Sequence, residues 1–392
     1  MKTLDITRLR ADTPACEKLI HFNNAGSSLM PTPVYQAVLD HLALEQAIGG
    51  YDAEDDVCPV LEDFYDAFAA LLNCDRSEIA YVENATRAWD MAFYSLPLKD
   101  GDRILTVEAE YVSNFLAYLH QARRRGLEID VAPCDASGQV DLDALERLIG
   151  PKTRLIAVTH IPTQGGLVNP AEEIGKIARR HGITYLLDAC QSVGQMPLDV
   201  RKIGCDLLSG TGRKFLRGPR GTGFLYVSKA LLDRLDPPFI DLHAANWTDA
   251  RAYELRPDAR RFENWESFVA GRVGLRAAVR YALDLGLEPI RARVTMLADR
   301  LRASLAELPG LKVHDLGRVR SGIVTFTKEG EQPRDIQARL RAANISVSVS
   351  GKSSAQLDFG RRGLAQVVRA SVHYFNTEDE IEVFCDRLRE AR

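Results

Sequence analysis

The chain has 392 residues, 46% of them apolar and 27% charged, with a formal net charge of -4. That length exceeds the usual reach of one hydrophobic core and predicts two domains, and the composition excludes a disordered chain. No basic stripe marks a nucleic-acid surface, and no run of about 18 apolar residues predicts a membrane span.

The first residues, MKTLDITRLRADTPACEKL, carry no apolar segment after their basic ones, unlike a secretory signal. Seven cysteines (16, 58, 74, 134, 190, 205 and 385) are scattered and never form a CxxC pair. They predict neither a disulfide framework nor a zinc site, and no HExxH or other metal spacing occurs. A cytoplasmic protein is expected. The Arg123–Arg125 cluster reads as the solvated end of a helix, where cations suit the dipole.

From about residue 78 to residue 227 short apolar runs alternate with helix-period segments. Strands are expected at 79–83, 103–108, 127–133, 154–160, 184–189, 206–210 and 222–227. Helices are expected at 86–97, 113–125, 141–149 and 170–181. The alternation predicts an α/β domain with a largely parallel sheet. Beyond it a long helical stretch is expected from Ser267 to Glu307. Strands follow near 311–315, 322–327 and 345–350, and a last amphipathic helix starts at Thr377. The expected division is a large domain over 21–255 and a small α+β domain over 256–392 joined by residues 1–20. Segments near 45–60, 240–265 and 346–363 are expected to be mobile loops. Trp247, Trp265 and Tyr253 are expected to pack in the core.

Open α/β sheets bind ligands beyond the carboxyl ends of their strands. Three segments place chemistry there. In DLLSGTGRKFLRGPRGTGFLYV (206–227) one lysine, Lys214, lies in a Gly-rich loop after a strand. Partial desolvation there would make its amine a Schiff-base nucleophile, although most lysines in such loops are surface residues. In YLLDACQSVGQ (185–195) Asp188 directly follows an apolar strand. It can meet a cationic ligand group or cap a turn. In IAYVENATRAWDMAF (79–93) a strand leads through Asn84, Ala85 and Thr86 into a helix whose N-terminus suits a phosphate, or is simply capped. GPRGTG (218–223) precedes a strand and opens no helix, so it is not a dinucleotide loop. His160 and His373 read as structural histidines.

Together and in this order, these motifs resemble the class V aminotransferase family of pyridoxal 5′-phosphate (PLP) enzymes, fold type I. That group includes cysteine desulfurases, C–S lyases and isopenicillin epimerase-like proteins. The resemblance runs from FNNAGSS (22–28) to RASVHYFNTEDEI (369–381). It implies PLP as cofactor, with Lys214 as the lysine bonded to it and Asp188 as the partner of its ring nitrogen. Gln191 matches the residue that hydrogen-bonds the phenolic oxygen. Ala85 and Thr86 match the phosphate-binding turn. Thr211 and Arg213 fall where the family usually has Ser and His on the phosphate, and a guanidinium suits phosphate at least as well. Tyr111 falls where desulfurases stack a His on the ring, so it is a candidate catalytic as well as cofactor-binding residue. Thr163 stands where many relatives have Asn. Arg369 matches the substrate-carboxylate clamp, and Asn24 lies in a stretch lining the substrate side. Ser267, beside Trp265 and Glu266, falls in the segment that lends a Thr to the neighbouring subunit. The resemblance also implies a homodimer.

Desulfurases attack the substrate sulfur with a cysteine on a loop near the C-terminus. The matching segment, SVSVSGKSSAQLDFGRRG (346–363), has serines and no cysteine. Cys385 reads as core, and Cys190 is expected to pack under the sheet. A hydroxyl cannot replace a thiolate at neutral pH. The expected activity is therefore β-elimination on a cysteine conjugate or sulfoxide, releasing pyruvate and ammonia. The alternatives are epimerisation or transamination of an amino acid on the same cofactor, and a non-catalytic protein that keeps the fold.

Overall fold

The computed structural model describes residues 3–390. Its centre is a seven-stranded sheet built from β1 (Ile79–Val82), β2 (Arg103–Val107), β3 (Glu128–Ala132), β4 (Thr153–Thr159), β5 (Thr184–Asp188), β6 (Leu207–Thr211) and β7 (Gly223–Val227). The spatial order is β1-β7-β6-β5-β4-β2-β3, and only the pairings made by β7 are antiparallel. This is the mostly parallel α/β sheet expected of fold type I. Strands β4 to β7 are buried almost throughout, which is why they read as continuous apolar runs instead of alternating ones.

Helices cover both faces. Helix α1 (Thr32–Ile48) precedes α2 (Cys58–Leu72), which on one side encloses a core with Phe64, Phe68, Leu187 and Phe224; on the other α3 (Ala85–Tyr94) and α4 (Val112–Arg125) bury Trp89, Phe93 and Tyr118 against Ala80, Leu186 and Leu225. Helix α5 (Ala171–His181) places acidic residues in its first turn and basic ones in its last, which suits the macrodipole, and ends at Gly182. The segment 45–60, expected as a loop, is instead helical. It runs into α2, whose apolar residues Leu61, Phe64, Phe68 and Leu71 sit at helical spacing and are buried.

The long helical stretch is two helices, α6 (Val269–Leu285) and α7 (Leu287–Ala306), broken at Gly286, whose φ of 89° favours glycine. Leu275 and Val279 of α6 join the core of the large sheet, whereas Leu297 and Leu301 of α7 join the small one.

Segment 240–265 holds a hairpin, β8 (Ala245–Asp249) and β9 (Ala252–Leu255). Trp247 is 81% exposed, Tyr253 55% and Trp265 53%. The expectation that these aromatics are core residues is corrected: the hairpin pairs only with itself and carries Trp247 and Tyr253 away from both cores, and Trp265 lies beyond it at the surface.

The small sheet runs β10-β11-β13-β12, with β10 (Leu311–Val313), β11 (Ile323–Lys328), β12 (Ser348–Gly351) and β13 (Gln366–Ser371). Residues 345–350 do not form one strand. Ile345–Ser346 pairs with Ile20–His21, and Ser348 onward pairs with β13. Segment 346–363 is thus strand followed by helix α8 (Gln356–Arg362), not loop. The final helix α9 (Glu378–Arg389) starts at Thr377, where a capping box with Glu380 satisfies the free N–H groups.

Candidate active site

A cavity of about 340 Å³ opens at the carboxyl ends of β4, β5 and β6, within the size range of small-molecule sites. Its wall includes Ala85, Thr86, Tyr111, Thr163, Asp188, Gln191, Thr211, Arg213 and Lys214, which are nine of the eleven residues the sequence nominated.

Lys214 follows β6 in a loop closed by two backbone bonds, Arg217 N–H to Lys214 O at 2.9 Å and Gly218 N–H to Gly212 O at 2.8 Å. Side chains cannot replace Gly212, where a Cβ would lie 2.3 Å from Thr222 Oγ1. The loop is pinned from behind by Arg217, whose buried guanidinium donates to Leu29 O, Tyr374 OH and Thr13 Oγ1. Lys214 Nζ lies 5.9 Å from the centre of the Tyr111 ring. Burial holds the Lys214 ammonium below the usual lysine range, and Arg213 and Arg369 act in the same direction. A buried amine with lowered proton affinity is the state a carbonyl-attacking lysine needs.

Asp188 ends β5 and is buried. Its Oδ1 accepts from Cys190 N–H at 2.8 Å and its Oδ2 from Asn114 Nδ2 at 3.0 Å. Gln191 donates through Nε2 to Ala25 O and Thr163 Oγ1, both at 3.0 Å, and its Oε1 has no partner. At the other end of the cavity lie the first residues of α3. Asn84 caps that helix by accepting from Arg87 N–H, so the N–H groups of Ala85 and Thr86 are left for a ligand. Gly223 lets β7 press against this turn, since a Cβ there would meet Asn84 C at 2.9 Å and Ala85 N at 3.1 Å. Arg213 donates to Thr211 Oγ1 at 3.2 Å, and Arg220 adds a second cation to the same wall.

Arg369, on β13 of the small domain, stands behind the cavity wall and touches it through Thr163. Its Nη1 donates to Thr163 O at 3.0 Å and to Thr163 Oγ1 at 2.5 Å, and its Nη2 to Asn23 Oδ1 at 3.4 Å. Burial, aided by Arg213, pushes its pKa down to about 10, which leaves it charged at neutral pH. Its Nε has no partner.

Asn24 and Cys190 are placed differently from the expectation. Asn24 does not line the cavity. Its amide donates to His21 O and Ser371 O and its carbonyl accepts from Ser28 Oγ, so it fastens the N-terminal segment to β13; Asn23 is the neighbour that touches Arg369. Cys190 is not packed away under the sheet but borders the cavity beside Asp188, with burial holding its thiol well above the usual range. Ser267 and Trp265 lie in this chain beside Tyr51 and Glu54, in a separate depression. His160 is buried, and burial takes its pKa down to about 4; His373 is spent on Phe215 O at 2.9 Å. Both behave as structural histidines.

Sequence reasoning missed Asn114, Thr159 and Arg220 on the cavity wall. Asn114 had a usable signal, a polar residue one helical turn after Tyr111 on the buried face of α4.

The donors fit pyridoxal 5′-phosphate: a buried amine for its aldehyde, a carboxylate for its ring nitrogen, and a helix N-terminus with two arginines for its phosphate. Residues 20–384 match the Aminotransferase class-V family. The chain belongs to that family. It is 30% identical to a probable cysteine desulfurase of Pyrococcus abyssi, over 97% of this chain and 96% of that one. Its structure resembles a cysteine desulfurase of Thermococcus onnurineus NA1, with a TM-score of 0.92, 29% identity and coverage of 99% and 98% of the two chains. It also resembles the cystine C–S lyase C-DES, solved with its reaction product cysteine persulfide, with a TM-score of 0.88, 25% identity and coverage of 96% and 99%.

Proposed function

We propose that this PLP-dependent enzyme cleaves the C–S bond of an S-substituted cysteine, such as a conjugate, sulfoxide or disulfide, by β-elimination. The observation that carries this reading is the placement of thiols around the site. Segment 346–363 brings no cysteine to the cavity, and Cys385 is in the core of the small domain. Cys190 borders the cavity, but burial and the adjacent Asp188 hold its thiol protonated, which disfavours it as a sulfur-accepting nucleophile.

When bound, PLP draws electrons from the substrate's Cα and acidifies its C–H bond. The chain's own residues supply the rest. Arg369 pairs with the α-carboxylate, a planar two-point contact that fixes which Cα bond faces the lysine. The Lys214 amine, buried on the cavity wall, would hold the cofactor at rest and take the α-proton of the bound substrate. The Cβ–S electron pair would leave with sulfur, as a thiolate from a conjugate, a persulfide from a disulfide or a sulfenate from a sulfoxide, and water would complete the conversion of the remaining fragment to pyruvate and ammonia. Holoenzyme is expected to convert cystine to pyruvate and cysteine persulfide in equal amounts, and an S-alkyl cysteine sulfoxide to pyruvate and the alkylsulfenic acid in equal amounts. Alanine together with a reductant-sensitive protein persulfide, or no pyruvate from any such substrate, would overturn the reading.

We also infer a homodimer. Trp247 and Tyr253 face each other across the exposed β8–β9 hairpin, and Phe239 and Leu242 beside it are likewise exposed, an apolar surface of the kind that a second copy covers. Sedimentation is expected to give the mass of two chains. A chain that stays monomeric at micromolar concentration contradicts this inference.

A further inference from the structure

Behind Asp188 lies a second carboxyl that the chemistry above does not use. Glu110 follows β2 and directly precedes α4, is buried, and is absent from the cavity wall. Its Oε1 accepts from Tyr111 N–H at 2.7 Å, from Asn114 Nδ2 at 3.0 Å and from the Thr159 hydroxyl. Its Oε2 faces the Thr106 hydroxyl at 3.0 Å and, more distantly, Tyr118 OH at 3.5 Å. Tyr111, Asn114 and Thr159 all line the cavity, so one carboxyl holds three cofactor-facing residues at once.

The partners of Oε1 include two obligate donors, the Tyr111 N–H and the Asn114 amide, which keep it an acceptor. The partners of Oε2 are hydroxyls, which can either donate or accept. Glu110 can therefore carry a proton on Oε2 or lose it without breaking its contacts. The Asn114 amide is shared: it touches Glu110 Oε1 at 3.0 Å and Asp188 Oδ2 at 3.0 Å. A charge appearing on Glu110 is thus one amide group away from the carboxylate that meets the cofactor's ring nitrogen.

We propose that Glu110 is a positioning residue that, through Asn114, controls the electrostatic environment of Asp188 and so how firmly the cofactor's ring nitrogen holds its proton. The proposal rests on the PLP reading of the cavity and is independent of the substrate. The titratable groups facing Glu110 are Asp188 from β5 and Tyr118 from α4; Thr106 of β2, Thr159 of β4 and Asn114 of α4 are neutral. Burial is the main cause that raises the Glu110 pKa to about 7, and Asp188 pushes the same way while the hydroxyl, amide and backbone donors oppose it. The group is therefore neutral on the acid side of that value and charged on the alkaline side. Its charged form favours a protonated ring nitrogen.

The test uses holoenzyme without substrate and follows the absorbance of bound PLP across the neutral pH range, together with PLP affinity. Wild-type protein is expected to show a spectral transition with its midpoint at about pH 7. Glu110→Gln should retain PLP and lose that transition. Thr106→Val, which removes a hydroxyl donor from Oε2 at nearly constant shape, should move the midpoint to higher pH. It keeps the test decisive if Glu110→Gln does not fold. A Glu110→Gln protein whose transition is unchanged, even with weakened PLP binding, would reduce Glu110 to a structural brace and overturn the proposal. So would a Thr106→Val midpoint equal to wild type, or a wild-type spectrum flat through neutrality. Wild-type protein that binds no PLP at all would overturn the cofactor reading as well, which separates the two failures.

Discussion

Replacing Lys214 with alanine is expected to lower turnover by about a thousandfold or more, the scale on which a positioned general base contributes. The amine is buried at the end of β6 and its proton affinity is depressed by burial, so it is available both to bond the cofactor's aldehyde and, once displaced, to take the α-proton. No other amine lines the cavity among the described residues; its remaining cations are the guanidinium groups of Arg213 and Arg220. The absorbance band of the lysine-bound cofactor should vanish in the variant, while added PLP still binds through the phosphate turn and Asp188. Single-turnover assays with an S-substituted cysteine check the rate. Turnover within about tenfold of wild type would mean that Lys214 is not the base.

Asp188→Asn is expected to cost about a hundredfold in kcat, comparable with removing one fixed charge-stabilising group from an active site. The amide keeps the shape but not the negative charge that holds a proton on the ring nitrogen. It also conflicts with its surroundings. Both carboxylate oxygens already accept N–H groups, from Cys190 and from Asn114. An amide must turn its own N–H toward one of those donors, so PLP affinity should fall as well. Steady-state kinetics at saturating PLP separate the two effects, since only the loss of charge persists when the site is filled. A kcat unchanged at saturation would place the ring-nitrogen contact elsewhere.

These two residues were legible because each follows a strand of unmistakable pattern. Strands β4 to β7 are buried on both faces, so their residues form continuous apolar runs that end abruptly where the chain turns to small or polar residues. The chemistry sits at those ends. The Gly-rich loop after β6 is equally visible, because the close approach of Gly212 to Thr222 tolerates no side chain. The helix pattern, the capping box at Thr377 and the absence of cysteine from 346–363 are also local properties.

What the sequence by itself determined, then, was the α/β layering, the ends of the strands and the presence there of Lys214, Asp188 and the Ala85–Thr86 turn, because periodicity and turn chemistry are local. The tertiary structure alone decided where separated segments meet. It brought β13 into the middle of the small sheet, turning Arg369 onto Thr163 across the domain boundary. It set Asn24 aside as a fastener and put Cys190 on the cavity wall. It left Trp247 and Tyr253 in solvent, where composition predicts burial. It joined Glu110 to Asp188 through Asn114, three residues whose meeting depends on how β2, α4 and β5 pack. Such contacts depend on packing between elements, and no single segment's hydrophobic pattern encodes its partners.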